Sequence, residues 1–210
     1  MAASASFKIH AKPGTDIWRK PPHADVFNAP TAIPPGVKST SGPLNTFVSV
    51  QASVSFAWKE RYDQAGLLLC LRKRSVSEEQ SVELTTAPPA KWIKTGIEFY
   101  NGKPMLSTVA CDAWADWSVT PRTMGAGASA TATWTTLSIE KEQDENGVSL
   151  WVYHIDDLGE KIPLREITWV FGHDPDRWNI EVLAMAARPE KSAIDILEVS
   201  IKDMAIEWNN

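Results

Sequence analysis

The segment from Trp92 to Phe99 carries an aromatic ring, a cation and a carboxylate at even positions. Because successive side chains of a strand point to opposite faces, Trp92, Lys94 and Glu98 share one face with the bare backbone of Gly96. The other face is expected to enter the core and consists of Ile93, Thr95, Ile97 and Phe99. An aromatic ring beside a cation and a carboxylate can stack on a polyol and hydrogen-bond it. The first face is therefore a candidate binding surface.

Gln64 lies in a second segment with strand-like alternation, Tyr62–Leu71. The residues that share its face are Tyr62, Gly66 and Leu68, and the opposite face carries Asp63, Leu67 and Leu69. We predict that Gln64 and the first face described above line one polar pocket. Its predicted ligand-binding residues are Gln64, Trp92, Lys94 and Glu98. In the alternative, structural arrangement, Lys94 and Glu98 form a pair across the face and Gln64 only satisfies backbone groups.

Asp116, Trp117 and His154 are further candidates for the same pocket. Asp116 and Trp117 are predicted to lie in a loop, where the indole can close over the pocket mouth. The alternative is ordinary turn chemistry, because Asp and Ser side chains hydrogen-bond their own backbone. His154 alternates with the larger residues Trp151 and Tyr153. A single histidine in a strand more often has a structural role, with its ring nitrogens hydrogen-bonded within the protein, than a role in ligand binding.

No metal site is predicted. The histidines show neither HxH nor HExxH spacing, and they stand at His10, His23, His154 and His173. Cys70 and Cys111 form no CxxC pair, so no tetrahedral ligand set emerges. The sequence from His173 to Asp176 offers oxygen atoms for a hard cation, but Asp-Pro is first of all typical of a turn. Since glycine-rich phosphate loops and GxSxG elbows are also missing, no cofactor is expected.

Turn signals divide the chain into many short alternating segments. Phe47–Trp58 alternates apolar and small polar residues and is predicted to be a half-buried strand. Asn101-Gly102 and Asn146-Gly147 each separate two such segments and predict tight hairpins. The paired segments are Trp92–Tyr100 with Pro104–Asp112, and Thr131–Lys141 with Val148–Ile155. Further predicted strands are Trp169–Phe171, Ile180–Ala187 and Ile194–Trp208.

Long helices are improbable because the chain holds 14 prolines and 11 glycines, mostly in clusters. Ser75–Glu83 is either one helical turn or a charged loop, and Gly125–Gly127 is a loop. Many strands with little 3.6-residue periodicity favour an all-β fold, an antiparallel sandwich or barrel. The 210 residues are enough for a buried core and are expected to form one domain, 1–210.

The net charge of −5 argues against a broad phosphate-binding surface, so no nucleic-acid partner is expected. No stretch approaches the roughly 18 apolar residues of a membrane span, and Met1–His10 lacks the order of a signal peptide. Cys70 and Cys111 are expected to be free structural thiols. We expect a cytoplasmic protein with no membrane association.

Several segments, taken in order, resemble the fungal "regulation of enolase protein" family, which belongs to a wider domain-of-unknown-function group with concanavalin A-like lectin/glucanase folds. The segments are Asp16–Lys20, Tyr62–Leu69, Lys91–Phe99, Leu106–Val109, Asp116–Ser118 and Ala186–Pro189. The resemblance implies an antiparallel two-sheet jelly roll whose concave sheet holds ligands in related superfamilies. It implies no established reaction.

Glucanases of this superfamily place paired carboxylates on one strand as Glu-x-Asp-x-(x)-Glu. The nearest stretch here, Ala193–Glu198, has alanine where the leading glutamate would stand. Glycosidases need carboxylates about 5–5.5 Å apart for retention or about 6.5–9.5 Å for inversion. Alternation sends Asp63 away from Gln64, so it is a poor partner for Glu98. We therefore expect a binding protein rather than a glucanase.

Three functions stay open on the sequence. The first is a binding or regulatory protein that takes a carbohydrate or small polar metabolite on the concave sheet. The second, implied by the resemblance alone, is a protein–protein regulator of a metabolic enzyme such as enolase. The third is an unorthodox enzyme that transfers protons in the same pocket, for which Lys94 and Glu98 are the candidate catalytic residues.

Overall fold

The computed structural model describes residues 6–37, 39–74, 87–122, 133–172 and 174–209. In these residues the chain forms strands and two short 3₁₀ turns, Leu44–Thr46 and Pro175–Arg177. The strands are β1 (Phe7–Ala11), β2 (Ile17–Lys20), β3 (Ala24–Phe27), β4 (Thr31–Ala32), β5 (Ser41–Pro43), β6 (Phe47–Phe56), β7 (Gln64–Lys73), β8 (Lys91–Tyr100), β9 (Lys103–Cys111), β10 (Ala115–Pro121), β11 (Thr135–Asp144), β12 (Gly147–Ile155), β13 (Lys161–Ile167), β14 (Trp178–Ala187) and β15 (Leu197–Trp208). Ser75–Glu83, Gly125–Gly127 and His173, for which the sequence made predictions, lie wholly or largely outside the described residues.

Two antiparallel sheets pack face to face. The front sheet has the order β10-β9-β8-β7-β14-β4, with β5 also paired to β14. The back sheet has the order β1-β15-β6-β11-β12-β13. A separate hairpin of β2 and β3 completes the described strands. The predicted all-β fold, an antiparallel two-sheet sandwich, is confirmed.

Both faces of the front sheet carry an apolar cluster. The inner face contributes Leu67 and Ile93 to the main apolar core between the sheets. The outer face forms a second apolar cluster in which Leu68 and Trp92 pack with Ile17 of the β2–β3 hairpin. The hairpin therefore covers part of a sheet face that would otherwise meet solvent.

The first predicted hairpin is confirmed, and the second is confirmed with a shifted turn. Asn101 and Gly102 both have positive φ, 51° and 72°, as a tight turn between β8 and β9 requires. In the second hairpin Asp144 pairs with Gly147, so Glu145 and Asn146 form the turn. The Asp144 carboxylate accepts hydrogen bonds from the amides of Asn146 and Gly147, at 2.8 and 3.1 Å, which favours this register.

Of two strand predictions near the end of the chain, the first was wrong and the second was wrong in part. Trp169–Phe171 forms a turn, closed by a hydrogen bond from the Gly172 amide to the Trp169 carbonyl at 3.2 Å. The last strand begins at Leu197 rather than Ile194, which is 96% exposed.

Cys70 and Cys111 are free and buried, as predicted. None of the helical segments in the described part of the chain has the length and apolar character of a membrane span.

Candidate functional site

Gln64, Lys94 and Glu98 point out of the outer face of the front sheet into one cavity of about 370 Å³. Gln64 of β7 stands directly opposite Glu98 of β8, and Lys94 lies further along the same strand. The three side chains therefore line one space on the same face of the sheet, as side-chain alternation in the two strands predicted. We call this space the front cavity; these three residues form its floor, and Trp18, Tyr62 and Trp117 form its walls.

The β2–β3 hairpin closes one side of the front cavity. It supplies Trp18 and Lys20, and Asp16 precedes it directly. The Arg19 guanidinium fastens the hairpin by donating to the carbonyls of Ala90 at 3.0 Å and Pro89 at 3.3 Å. Sequence reasoning did not find this wall, since a four-residue strand has little periodicity. The only signal was the match of Asp16–Lys20 to the family motif.

Lys94 ties the hairpin to the sheet. Its ammonium donates to the Ile17 carbonyl at 2.6 Å and to Gln64 Oε1 at 2.7 Å, and it lies 3.5 Å from Asp16 Oδ1. The side chain is buried, and this burial lowers the pKa of Lys94, while Asp16 and Glu98 oppose the shift. An ammonium has three N–H donors, and each has an acceptor here.

Glu98 positions the Trp117 indole. Its Oε2 accepts hydrogen bonds from the Ser107 hydroxyl at 2.7 Å and from Trp117 Nε1 at 3.0 Å. Burial raises the pKa of Glu98, and the Ser107 hydrogen bond and the Lys94 charge oppose that rise. A carboxyl group that holds its proton more tightly than usual is thus placed beside an aromatic wall.

Two glycines open the floor between Lys94 and Glu98. Gly66 and Gly96 face each other across β7 and β8. A Cβ on either residue would overlap backbone of the partner strand. A small hollow of about 10 Å³, which is room for one water molecule, lies beside Gly96 and Ser107.

A stack of aromatic rings forms the wall nearest Glu98. Tyr62 stacks on Tyr100 at 5.6 Å between ring centroids, and Tyr100 meets Trp117 edge to face at 5.0 Å. Tyr62 has a positive φ of 67°, which is uncommon for a residue other than glycine. Its amide donates to the Phe99 carbonyl at 2.7 Å, which holds the strained backbone against β8.

A buried ion pair lies behind this wall. Arg188 donates to both carboxylate oxygens of Asp63, each at 2.8 Å, and the two side chains are 2% and 0% exposed. Asp63 Oδ2 also accepts the amides of Lys59 and Glu60 at 2.9 Å. The ion pair fixes the loop before β7. It therefore also positions Tyr62 and Gln64, which are the chain neighbours of Asp63. Sequence reasoning placed Asp63 away from the pocket but did not identify Arg188 as its partner.

Three predicted site residues lie elsewhere. Trp92 is 1% exposed in the second apolar cluster, with the Lys94 ammonium 5.9 Å from its ring centroid, because the β2–β3 hairpin covers that end of β8. Asp116 and Trp117 belong to strand β10 rather than to the predicted loop. Alternation in β10 turns Asp116 away from Trp117 and the cavity, and it pairs with Arg165. His154 lies on β12 of the back sheet.

In the described ranges, no three His, Cys, Asp or Glu side chains are grouped as a metal ion would require. The floor contains one carboxylate and one ammonium, and Asp16 and Lys20 add one charge of each sign. The front cavity therefore combines aromatic walls with a balanced set of charges. Such a lining suits the binding of a polar organic molecule.

Glu98 is expected to make folding stability depend on pH. Because its pKa is raised in the folded protein, the free energy that Glu98 contributes falls as the pH rises from 4.5 through the folded pKa. We expect the unfolding free energy of the wild type minus that of Glu98→Gln to decrease with pH in this window. Urea unfolding between pH 4 and 8 measures it.

Glu198→Gln is the matched control for this measurement. Hydrogen bonds from Lys8 and His10 lower the pKa of Glu198, so its contribution to stability is lost as the pH falls. The difference between wild type and Glu198→Gln should therefore increase with pH. Equal slopes for the two variants would contradict the assignment of a raised pKa to Glu98.

Comparisons with known proteins identify relatives of this chain. The family described as "Protein of unknown function (DUF1349)" matches residues 2–207. An uncharacterized protein of Emericella nidulans is 39% identical over 205 residues, which cover 97% of this chain and 86% of that protein. A functionally unknown protein from Saccharomyces cerevisiae has a similar structure, with a TM-score of 0.61 at 19% identity over 98% of this chain and 89% of that one. Alginate lyase A1-II′, of polysaccharide lyase family-7, gives a TM-score of 0.48 at 10% identity over 99% and 80%.

Proposed function

We infer a function for this chain, which belongs to the DUF1349 family, from the geometry of its site. We propose that the protein is a cytoplasmic binding or regulatory protein, and that it binds a carbohydrate or another small polar metabolite in the front cavity. The observation that carries this proposal is a space of about 370 Å³ between Trp18 and Trp117 with an amide and a carboxyl group on its floor. This volume lies within the roughly 300–1,000 Å³ of small-molecule sites. Aromatic walls suit the apolar faces of sugar rings, and the floor suits their hydroxyl groups.

Truncation of one aromatic wall is expected to abolish most of the binding. A thermal-shift screen of saccharides and small polar metabolites should identify a stabilising ligand, and calorimetric titration gives its Kd. Trp117→Ala should weaken that Kd at least about tenfold, because an aromatic anchor of a binding site contributes about 2 kcal/mol or more and tenfold corresponds to about 1.4 kcal/mol. Trp134→Ala is the control, since Trp134 lies against Lys202 of the back sheet, with the ammonium 4.5 Å from its ring centroid.

The proposal fails if no compound in the screen stabilises the protein. It also fails if Trp117→Ala and Trp134→Ala bind equally well. Circular dichroism and thermal unfolding of both variants verify that the sandwich remains folded.

Catalysis by the same floor is the second candidate function. The observation in its favour is the raised pKa of Glu98, a property of general acids, next to the cavity. Lys94 has its donors occupied by Ile17, Gln64 and Asp16, which favours an anchoring role for the lysine. Chemical change of a bound compound that is lost in Glu98→Gln would support an enzyme. Recovery of the compound unchanged supports binding alone.

Regulation of a glycolytic enzyme such as enolase is an alternative supported by the sequence motifs. The motifs are those of the "regulation of enolase protein" family, and they include Asp16–Lys20 and Tyr62–Leu69. Affinity capture from native cell extract tests this function. Recovery of a glycolytic enzyme would support it, and a preparation that contains this protein alone would contradict it.

A further inference from the structure

The hydrogen-bond donors on the floor of the front cavity are already engaged. Lys94 uses its three donors on Ile17, Gln64 and Asp16. The Gln64 amide donates to the Tyr62 carbonyl at 3.2 Å and to Asp16 Oδ1 at 3.5 Å. An incoming anion would therefore have to break existing contacts of Lys94 and Gln64 to obtain a donor from the floor.

The carboxyl groups of Asp16 and Glu98, which are hydrogen-bond acceptors in the same cavity, each have one oxygen atom that is less engaged than the other. The hydrogen bonds that described residues make to Asp16 end on Oδ1, including one from the Ile17 amide at 2.7 Å. Those that they make to Glu98 end on Oε2. Asp16 Oδ2 and Glu98 Oε1 therefore remain for a ligand. A carboxylate oxygen is a hydrogen-bond acceptor, and a hydroxyl group of a ligand can donate to it.

The shape and charge of the cavity favour the same kind of group. The hollow beside Gly96 has about 10 Å³, which accommodates one oxygen atom such as that of a hydroxyl group. The carboxyl groups of Asp16 and Glu98 repel an anion at short range. The Lys94 ammonium would attract an anion, but it is held by the Ile17 carbonyl, Gln64 and Asp16. Lys20 carries a compensating charge, but it lies at the exposed rim, where water and salt screen it.

From these contacts we propose that the front cavity selects an uncharged polyhydroxyl ligand, and that Glu98 and Asp16 exclude the phosphorylated or carboxylated forms of the same compound. The inference rests on the proposed binding function and narrows its ligand class. A hydroxyl group both donates and accepts, so it matches the Glu98 carboxyl group in either protonation state. A phosphate or carboxylate group on the ligand supplies acceptors where the cavity already has them.

Matched pairs of compounds test the selectivity. D-glucose, D-galactose and D-mannose are titrated against the protein by calorimetry, each beside its 6-phosphate and its uronic acid, at low ionic strength. We expect a neutral hexose to bind at least tenfold more tightly than its two anionic partners. Glu98→Gln keeps the size of the side chain and removes the charge, so this ratio should fall at least threefold in the variant. Glu198→Gln, on the back sheet, should leave the ratio unchanged.

The outcomes separate this inference from the proposed function. Tighter binding of a 6-phosphate or uronic acid than of its neutral hexose would overturn the inference and leave a ligand-binding cavity in place. An unchanged ratio in a folded Glu98→Gln variant would overturn the role of Glu98. Binding of no member of any pair would overturn both the inference and the proposed function.

Discussion

Replacement of Gly96 by alanine is expected to destabilise the protein by about 3 kcal/mol or more, at the upper end of the range for overpacked sites. The new Cβ would overlap the Ala65 carbonyl oxygen and lie 2.9 Å from Cα of Gly66. Both obstacles are backbone atoms of a central strand, so a rotamer change cannot relieve them. Chemical unfolding of the purified variant, or its loss from the soluble fraction, measures the effect.

Gly66→Ala should behave in the same way, because its Cβ would overlap the Thr95 carbonyl and lie 2.6 Å from Cα of Gly96. Gly172→Ala is the matched control. Its Cβ would lie 3.4 Å from the Trp169 carbonyl oxygen, an ordinary contact, and the residue is exposed in a turn. Wild-type stability of Gly96→Ala would show that β7 and β8 separate easily at this point. The hollow would then be adjustable rather than built into the sheet.

Arg188→Met is expected to cost about 3–5 kcal/mol of folding free energy, since it leaves Asp63 buried without its counter-charge. The Asp63 carboxylate is 0% exposed, and the two backbone amides of Lys59 and Glu60 would be its remaining partners. Urea unfolding measures the loss. The variant should also bind ligand more weakly, because Asp63 lies between Tyr62 and Gln64 in the chain.

The control for Arg188→Met is an exposed ion pair of the back sheet. Lys8 and Glu198 are 2.6 Å apart with side chains 56% and 52% exposed. Lys8→Gln should therefore cost no more than about 1 kcal/mol. Equal losses in the two variants would contradict a special role for the buried pair.

The floor of the front cavity was predictable because strand alternation is a local property of the chain. The side chains of β7 and β8 alternate with period two, so Gln64, Lys94 and Glu98 had to share a face once both segments became neighbouring strands. The turn at Asn101-Gly102 was predictable for the same reason, since positive φ is a local requirement. No long-range contact is needed for either conclusion.

The walls of the cavity were less predictable because they come from distant parts of the chain. Trp18 arrives on the β2–β3 hairpin, and Trp117 arrives because β10 pairs with β9. Arg188 and Asp63 are separated by 125 positions, and neither carries a local signal of the other. Trp92 was assigned to the cavity because its face was predicted correctly, but the hairpin that covers it could not be foreseen.

The amino-acid sequence by itself thus determined which side chains share a face of each strand and where the chain turns back. The tertiary structure decided which part of that face is covered by Ile17, which part is left open above Glu98, and which rings surround the opening. The physical reason is that φ, ψ and side-chain alternation depend on neighbouring residues, whereas burial depends on which distant segment packs on the sheet.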